Sequence, residues 1–168
     1  PLSEAGLMAR IDKRLQAGDI DEAVAGLLRA THQANDEGRF GAIHFALTPE
    51  ALCDWMGVQR LFSSWGGEAL YNSHESDGVT GPALQSIGEP RLVTARLPIS
   101  EVRSFQEVGK SIYRFYMNSK GVVTRIGYGC EGTLRRPLLS TEIDAIHSFG
   151  DAEFKQLTRC ETWPCPLA

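Results

Sequence analysis

The chain has 168 residues, 42% of them hydrophobic and 23% charged, with a formal net charge of −4. This balance is typical of a soluble globular protein, and the length allows one domain with a core of its own. The negative charge predicts no general attraction to nucleic acid or membranes, and the lack of any apolar run of about 18 residues excludes a predicted transmembrane helix.

The four cysteines predict neither a metal site nor a disulfide framework. No two of them form a C-x-x-C pair, and no histidine has zinc-finger spacing, so we expect no bound metal. Cys160 and Cys165 are near enough in sequence to close a small loop, but buried, reduced thiols are the favoured interpretation. Reduced thiols indicate a cytoplasmic protein.

The first 38 residues predict two helices. Apolar residues recur at helical spacing over residues 3–17, and Gly18 ends this first helix. Asp19 is the predicted N-cap of the second helix, because Glu22 stands three positions later as in a capping box. The second helix is predicted to end near His32, in a solvated position.

A strand and two short helices are predicted next. Residues 41–47 alternate between an apolar face and a face that carries His44, which is typical of a strand packed on one side. Thr48 and Pro49 have the residue types of an N-cap and a first helical position, so a helix is predicted from Thr48 to Gly57. A short amphipathic segment over 58–62 follows.

The segment from Trp65 to Glu75 is the most informative part of the sequence. It holds two glycines, two aromatic residues and two carboxylates, without a helical or alternating period, and is therefore predicted to be irregular. Adjacent glycines allow close backbone approach, so the favoured interpretation is a ligand cleft. The alternative is a tight corner, in which Trp65 and Tyr71 fill the core while His74 and Glu75 face water.

The second half of the chain alternates strands with helices, which makes the predicted class mixed α+β. Its predicted elements are a helical turn over 82–87, a strand over 91–99, a helix over 103–118 interrupted by Gly109, a strand or hairpin over 121–130, an extended segment over 134–139, a short helix over 140–147 capped by Ser140, and a last helical turn over 152–157 capped by Asp151.

Glu131 is a second candidate for chemistry. It stands at a strand end between Gly129 and Gly132, where a carboxylate either faces solvent or points into a cleft. Neither interpretation is excluded by the residues alone.

Three segments resemble ADP-ribosyltransferase-fold proteins. Residues 41–52, GAIHFALTPEAL, resemble the family's second conserved strand and the helix after it. Residues 91–99, RLVTARLPI, resemble the next strand of its split sheet, and residues 131–146, EGTLRRPLLSTEIDAI, resemble its catalytic-glutamate strand. The segment WGGEALYNSHE over 65–75 also looks like the signature of an uncharacterised bacterial family.

The resemblance implies one domain over residues 1–168, with a helical segment over 1–38, a core over 40–147 and a C-terminal extension over 148–168. The implied core is a small split antiparallel or mixed β-sheet. The family's first strand, which supplies an Arg or His that grips NAD, has no counterpart in the helical segment.

The implied activity is NAD-dependent ADP-ribosyl transfer, or NAD glycohydrolysis, by a bacterial effector- or toxin-like domain. The acceptor stays open between a macromolecular acceptor, protein or nucleic acid, and a small molecule. Cleavage of the nicotinamide–ribose bond passes through an oxocarbenium-like transition state, which a nearby carboxylate stabilises. The resemblance implies two groups of site residues: Glu131 or its rival Glu75 as the catalytic carboxylate, and His44, Trp65, Gly66, Gly67, Tyr71 and His74 around NAD.

Two other classes of function remain open. A non-catalytic immunity or regulatory domain would bind its protein partner through an exposed aromatic patch of Trp65, Tyr71 and Trp163, with Glu131 outside any pocket. A hydrolase would use Cys130 as nucleophile, with His44 or His74 as base.

Overall fold

The computed structural model describes residues 3–53, 58–103, 105–122 and 131–162. The α-helices of this part are α1 (Glu4–Gln16), α2 (Glu22–Ala30), α3 (Val58–Ser63), α4 (Glu68–His74), α5 (Thr80–Ser86), α6 (Phe105–Ser119) and α7 (Ala152–Thr158). The strands are β1 (Ile43–Ala46), β2 (Arg91–Ala95), β3 (Glu131–Leu134) and β4 (Ile143–Ser148). Short 3-10 turns cover Pro49–Cys53, Ile99–Glu101 and Ser140–Glu142.

The strands form two antiparallel pairs, which confirms the mixed α+β class. Strand β1 pairs with β3, and β2 pairs with β4. The described residues therefore form two separate two-stranded sheets, whereas the resemblance implied one split core. The predicted strand or hairpin over 121–130 lies mostly outside the described residues.

Helices α1, α2, α4 and α5 enclose the larger apolar core. Leu7, Ile11, Leu28, Leu70 and Leu84 are fully buried there. A second, smaller apolar cluster consists of Phe62 of α3, Phe154 of α7 and Cys160. Leu92 of β2 and Phe149, which follows β4, pack against it.

The start of α2 differs from the prediction. Asp21, not Asp19, is its N-cap, and the Asp21 carboxylate accepts a hydrogen bond from the Val24 N–H at 2.8 Å. Asp19 instead accepts from the Arg14 guanidinium at 2.9 Å. His32, predicted to be solvated, has a side chain only 11% exposed.

The prediction of an irregular segment over 65–75 is wrong, because Glu68–His74 is helix α4. Ala69, Leu70 and His74 are all buried and lie on the same side of this helix at spacings of one and four residues. The helical period was hidden because His74, a polar residue by type, occupies a core position. The helix predicted from Thr48 is a 3-10 turn over Pro49–Cys53, and residues 54–57 lie outside the described part.

The prediction of a helix over 140–147 is also wrong. A 3-10 turn over Ser140–Glu142 leads directly into β4. In β4 the odd positions from Ile143 are half-buried, and Asp144 and Ile146 are exposed. This period of two, together with pairing to β2, prevails over the helical spacing of two isoleucines.

The remaining helix predictions are confirmed with shifted ends, and they correspond to α1, α2, α3, α5, the long helix α6 and the final α7. Helix α6 continues through Gly109 without a break. Among the described residues, none of these helices has the length and apolar character needed to cross a membrane.

Candidate functional site

The glycine pair before α4 shapes the packing of that helix. Gly66 and Gly67 both have positive φ, at +85° and +60°. A Cβ on Gly66 would lie 2.4 Å from Leu70 Cδ1, so the close approach that the sequence predicted is to the helix core. Trp65 is half-buried against this core, and its N–H donates to Leu84 O at 2.9 Å.

Tyr71 is buried, and the Arg60 guanidinium lies over its ring, which leaves no ring face open for a nicotinamide. The side chain is 2% exposed, and the Arg60 guanidinium carbon lies 4.5 Å from its ring centroid. Its hydroxyl donates to Glu68 Oε1 at 3.1 Å. Burial first, and then the Glu68 charge, raise the pKa of Tyr71 to about 12.

His74 connects three elements inside the core. Its Nε2 lies 2.7 Å from Thr31 O, and its Nδ1 lies 3.0 Å from Thr80 Oγ1. Because a carbonyl oxygen can only accept, Nε2 carries a proton. Both ring nitrogens are therefore occupied within the fold, joining the end of α2 to α5.

Charged side chains form a network over the exposed side of α4. Arg39 donates to Glu68 at 2.9 Å, and Arg60 donates through Nε to Glu75 at 2.9 Å. Burial disfavours the Glu68 carboxylate, but its bonds to Arg39 and Tyr71 hold its pKa below the ordinary value. Each of these two carboxylates is thus neutralised by an arginine.

A half-open pocket of about 320 Å³ adjoins this network. It lies at the low end of ligand-pocket volumes, which run from about 300 to 1,000 Å³. Six residues line it: Arg60, Ser63, Ser64, Glu75, Ser76 and Gln85.

His44 and Glu131 lie on one face of the β1–β3 sheet. His44 pairs with Thr133, and Ala46 pairs with Glu131, so all four side chains project to the same side. Diagonal neighbours of this kind have Cα atoms about 7–8 Å apart. Both residues are exposed, and His44 Nε2 lies 3.2 Å from Gly38 O.

The predicted site residues therefore divide into groups. His44 and Glu131 share the sheet face, whereas Tyr71 and Glu75 belong to the arginine network. Among the described residues, no hydrogen bond or ion pair joins Glu131 to Tyr71. Cys130 and Trp163 lie outside the described residues.

Helix α6 presents a surface that the sequence did not indicate. Its half-buried positions, at intervals of three, are Val108, Ser111, Arg114 and Met117. Other positions of the helix carry large apolar residues with exposed fractions of 62% at Ile112, 52% at Tyr113, 79% at Phe115 and 57% at Tyr116. We call this set, together with Gly109, the outer face of α6. An amphipathic helix normally turns its apolar side inward, so this orientation is reversed.

A scan against protein-family models finds no match to the chain, and neither the curated proteins nor the solved structures include a significant match.

Proposed function

We propose that this protein is a non-catalytic binding domain, and that it holds a protein partner through the outer face of α6. The observation that carries the proposal is the reversed orientation of α6. Its half-buried side includes Ser111 and Arg114, whereas Ile112 and three aromatic residues point away from the domain.

The size of this face suits a protein interface. Aromatic side chains bury about 150–250 Å² each, so at their observed exposure the three on α6 offer on the order of 400 Å². Apolar patches of about 300–600 Å² on monomers are often functional. Tyrosine and phenylalanine are also enriched at protein interfaces, where they pack with little loss of conformational entropy.

The predicted aromatic anchor needs correction in this proposal. Tyr71 is buried and Trp65 is half-buried against the helical core. Among the described residues, three exposed aromatic side chains lie on α6, and Phe40 is exposed elsewhere.

Photo-crosslinking in cells that encode the protein tests the proposal. A photoreactive residue at Phe115 is expected to give a discrete crosslinked protein product. The matched control is the same residue at Ile146, which is 54% exposed on β4 and should give none. Equal products at both positions, or none at Phe115, would contradict the proposal.

NAD-dependent ADP-ribosyl transfer is the second candidate. One observation favours it: the β1–β3 register brings His44 and Glu131 to the same face. In this candidate Glu131 stabilises the developing ribosyl cation, with Glu75 as its rival. The exposure of this face weakens the candidate, because electrostatic stabilisation is strongest where water is excluded.

Nicotinamide release from NAD tests the second candidate. The wild-type protein should release nicotinamide, and Glu131→Ala should abolish the release. Loss with Glu75→Ala alone would transfer the catalytic role to Glu75. No release by the wild type and no NAD binding at millimolar concentration would eliminate this candidate.

A further inference from the structure

The half-open pocket beside the arginine network has a buried polar base. Its lining residues come from α3, the end of α4 and α5, and Ser63 and Ser64 at its base are only 6% and 8% exposed. Among the described residues, the Ser64 hydroxyl has no hydrogen-bond partner. Because a buried hydroxyl is normally hydrogen-bonded, a ligand in the pocket would supply the partner that the fold does not.

Arg60 holds hydrogen-bond donors in a fixed position at this pocket. Its Nε and Nη2 donate to the two carboxylate oxygens of Glu75, and its guanidinium carbon lies 4.5 Å from the ring centroid of Tyr71. A guanidinium has five N–H groups, and the two on Nη1 have no partner in the part of the chain that the structure describes. These donors are oriented before a ligand binds, which reduces the entropy lost on binding.

The charges around the pocket cancel. Arg60 and Glu75 pair with each other, and the other four lining residues are three serines and a glutamine. An anion would meet the Glu75 carboxylate and a cation would meet the Arg60 guanidinium, so neither is strongly attracted. An apolar ligand would leave the Ser64 hydroxyl unpaired. The lining therefore favours a neutral ligand whose groups both donate and accept hydrogen bonds, as hydroxyl groups do.

The volume of the pocket limits the size of this ligand. A volume of about 320 Å³ corresponds to roughly ten water molecules at about 30 Å³ each. A sugar ring or a cyclitol with its hydroxyl groups has a similar number of non-hydrogen atoms. A larger molecule would extend out of the open side.

We infer that this pocket binds a small neutral polyhydroxylated molecule of the size of a monosaccharide or cyclitol. Ser64 pairs with one ligand hydroxyl at the base, and Arg60, Glu75 and the Gln85 amide bind others at the rim. The six lining residues include none from α6, so the inference is independent of the proposed function.

NMR titration of isotope-labelled protein with D-glucose, D-galactose and myo-inositol tests the inference. A half-open pocket and a ligand this small imply a dissociation constant of millimolar order, so each titration should reach about 100 mM. At least one of the three should cause saturable shifts of the amide signals of Ser64 and Gln85. No saturable shift with any of them would overturn the inference.

Ser64→Ala separates ligand binding from stability. It should weaken binding of the same probe by roughly tenfold and leave Tm unchanged, because the hydroxyl makes no hydrogen bond within the described chain. The matched control is Ser86→Ala, since the Ser86 hydroxyl donates to Ala83 O at 2.9 Å and lies outside the pocket lining. The control should bind like the wild type. Unchanged binding by Ser64→Ala would overturn the inference.

Inorganic phosphate tests the requirement for a neutral ligand. The wild type should not bind phosphate, because Glu75 neutralises Arg60. Glu75→Gln removes the negative charge and should allow phosphate to shift the same amide signals. A wild type that binds phosphate more tightly than all three polyols would identify an anion site and overturn the inference.

Discussion

A substitution at Gly66 tests whether the backbone there approaches the protein's own core or a ligand. Gly66→Ala places a methyl group 2.4 Å from Leu70 Cδ1 at a φ of +85°. The backbone strain contributes about 1–2 kcal/mol, and displacement of a fully buried leucine adds about 1–3 kcal/mol. We expect the free energy of unfolding to fall by about 2–5 kcal/mol.

Gly18→Ala is the matched control, because Gly18 has a similar φ of +76° and nothing within 4 Å of its Cβ position. Only the strain applies there, so the loss should be about 1–2 kcal/mol. Urea unfolding of both variants gives the difference, which isolates the Leu70 contact. Equal losses in the two variants would refute the packing argument and revive a ligand role for Gly66.

Three further predictions concern caps, charges and the core histidine. Asp21→Ala removes the cap on the Val24 N–H and should reduce the free energy of unfolding by about 1 kcal/mol, measured by thermal circular dichroism. Arg136 holds the pKa of Glu142 at about 2 in the folded chain against 4.5 unfolded, so its stabilisation is full above 4.5 and lost as pH falls towards 2. Glu142→Gln should flatten acid unfolding over this window, and an unchanged profile would contradict the pairing. His74→Phe removes the hydrogen bonds of the ring to Thr31 O and Thr80 Oγ1 and should reduce the free energy of unfolding by about 1–3 kcal/mol in urea, whereas a neutral result would show that His74 is not a structural bridge.

Local sequence was sufficient wherever an element carries its own period and caps. Helix α1 begins after Ser3, whose side chain accepts from the Gly6 N–H, and its buried residues repeat every four positions. Helix α7 begins after Asp151 as predicted, although the Asp151 carboxylate accepts from the Ser148 N–H at 2.7 Å and not from an N–H of the helix. In these segments the apolar stripe and the residues at the helix ends predict the same helix, so no information about tertiary contacts was needed to locate it.

Local sequence failed where the partner determines the element. In β4, Ile143 is half-buried and Ile146 is exposed. Their spacing of three residues also fits a helix, and only pairing with β2 makes the segment a strand. His74 hid the period of α4, because its core position depends on Thr31 O and Thr80. A polar residue can occupy the core only when distant groups satisfy its hydrogen bonds.

In the candidate site, too, the sequence identified residue types, and the tertiary structure determined which of them lie together. The sequence identified His44 and Glu131, but their common face follows from the β1–β3 register, which joins residues far apart in the chain. Arg39 and Arg60 could not be identified from the local sequence. Their role is to pair with Glu68 and Glu75, and only the fold brings those carboxylates close to them.

By itself the sequence determined the α+β composition and most helices, including α6, since each depends on neighbours a few positions away. Only the tertiary structure decided which side of α6 faces outward, because the helical period is the same in either orientation. In the structure Val108 and Met117 are half-buried, whereas Ile112, Tyr113 and Tyr116 are exposed.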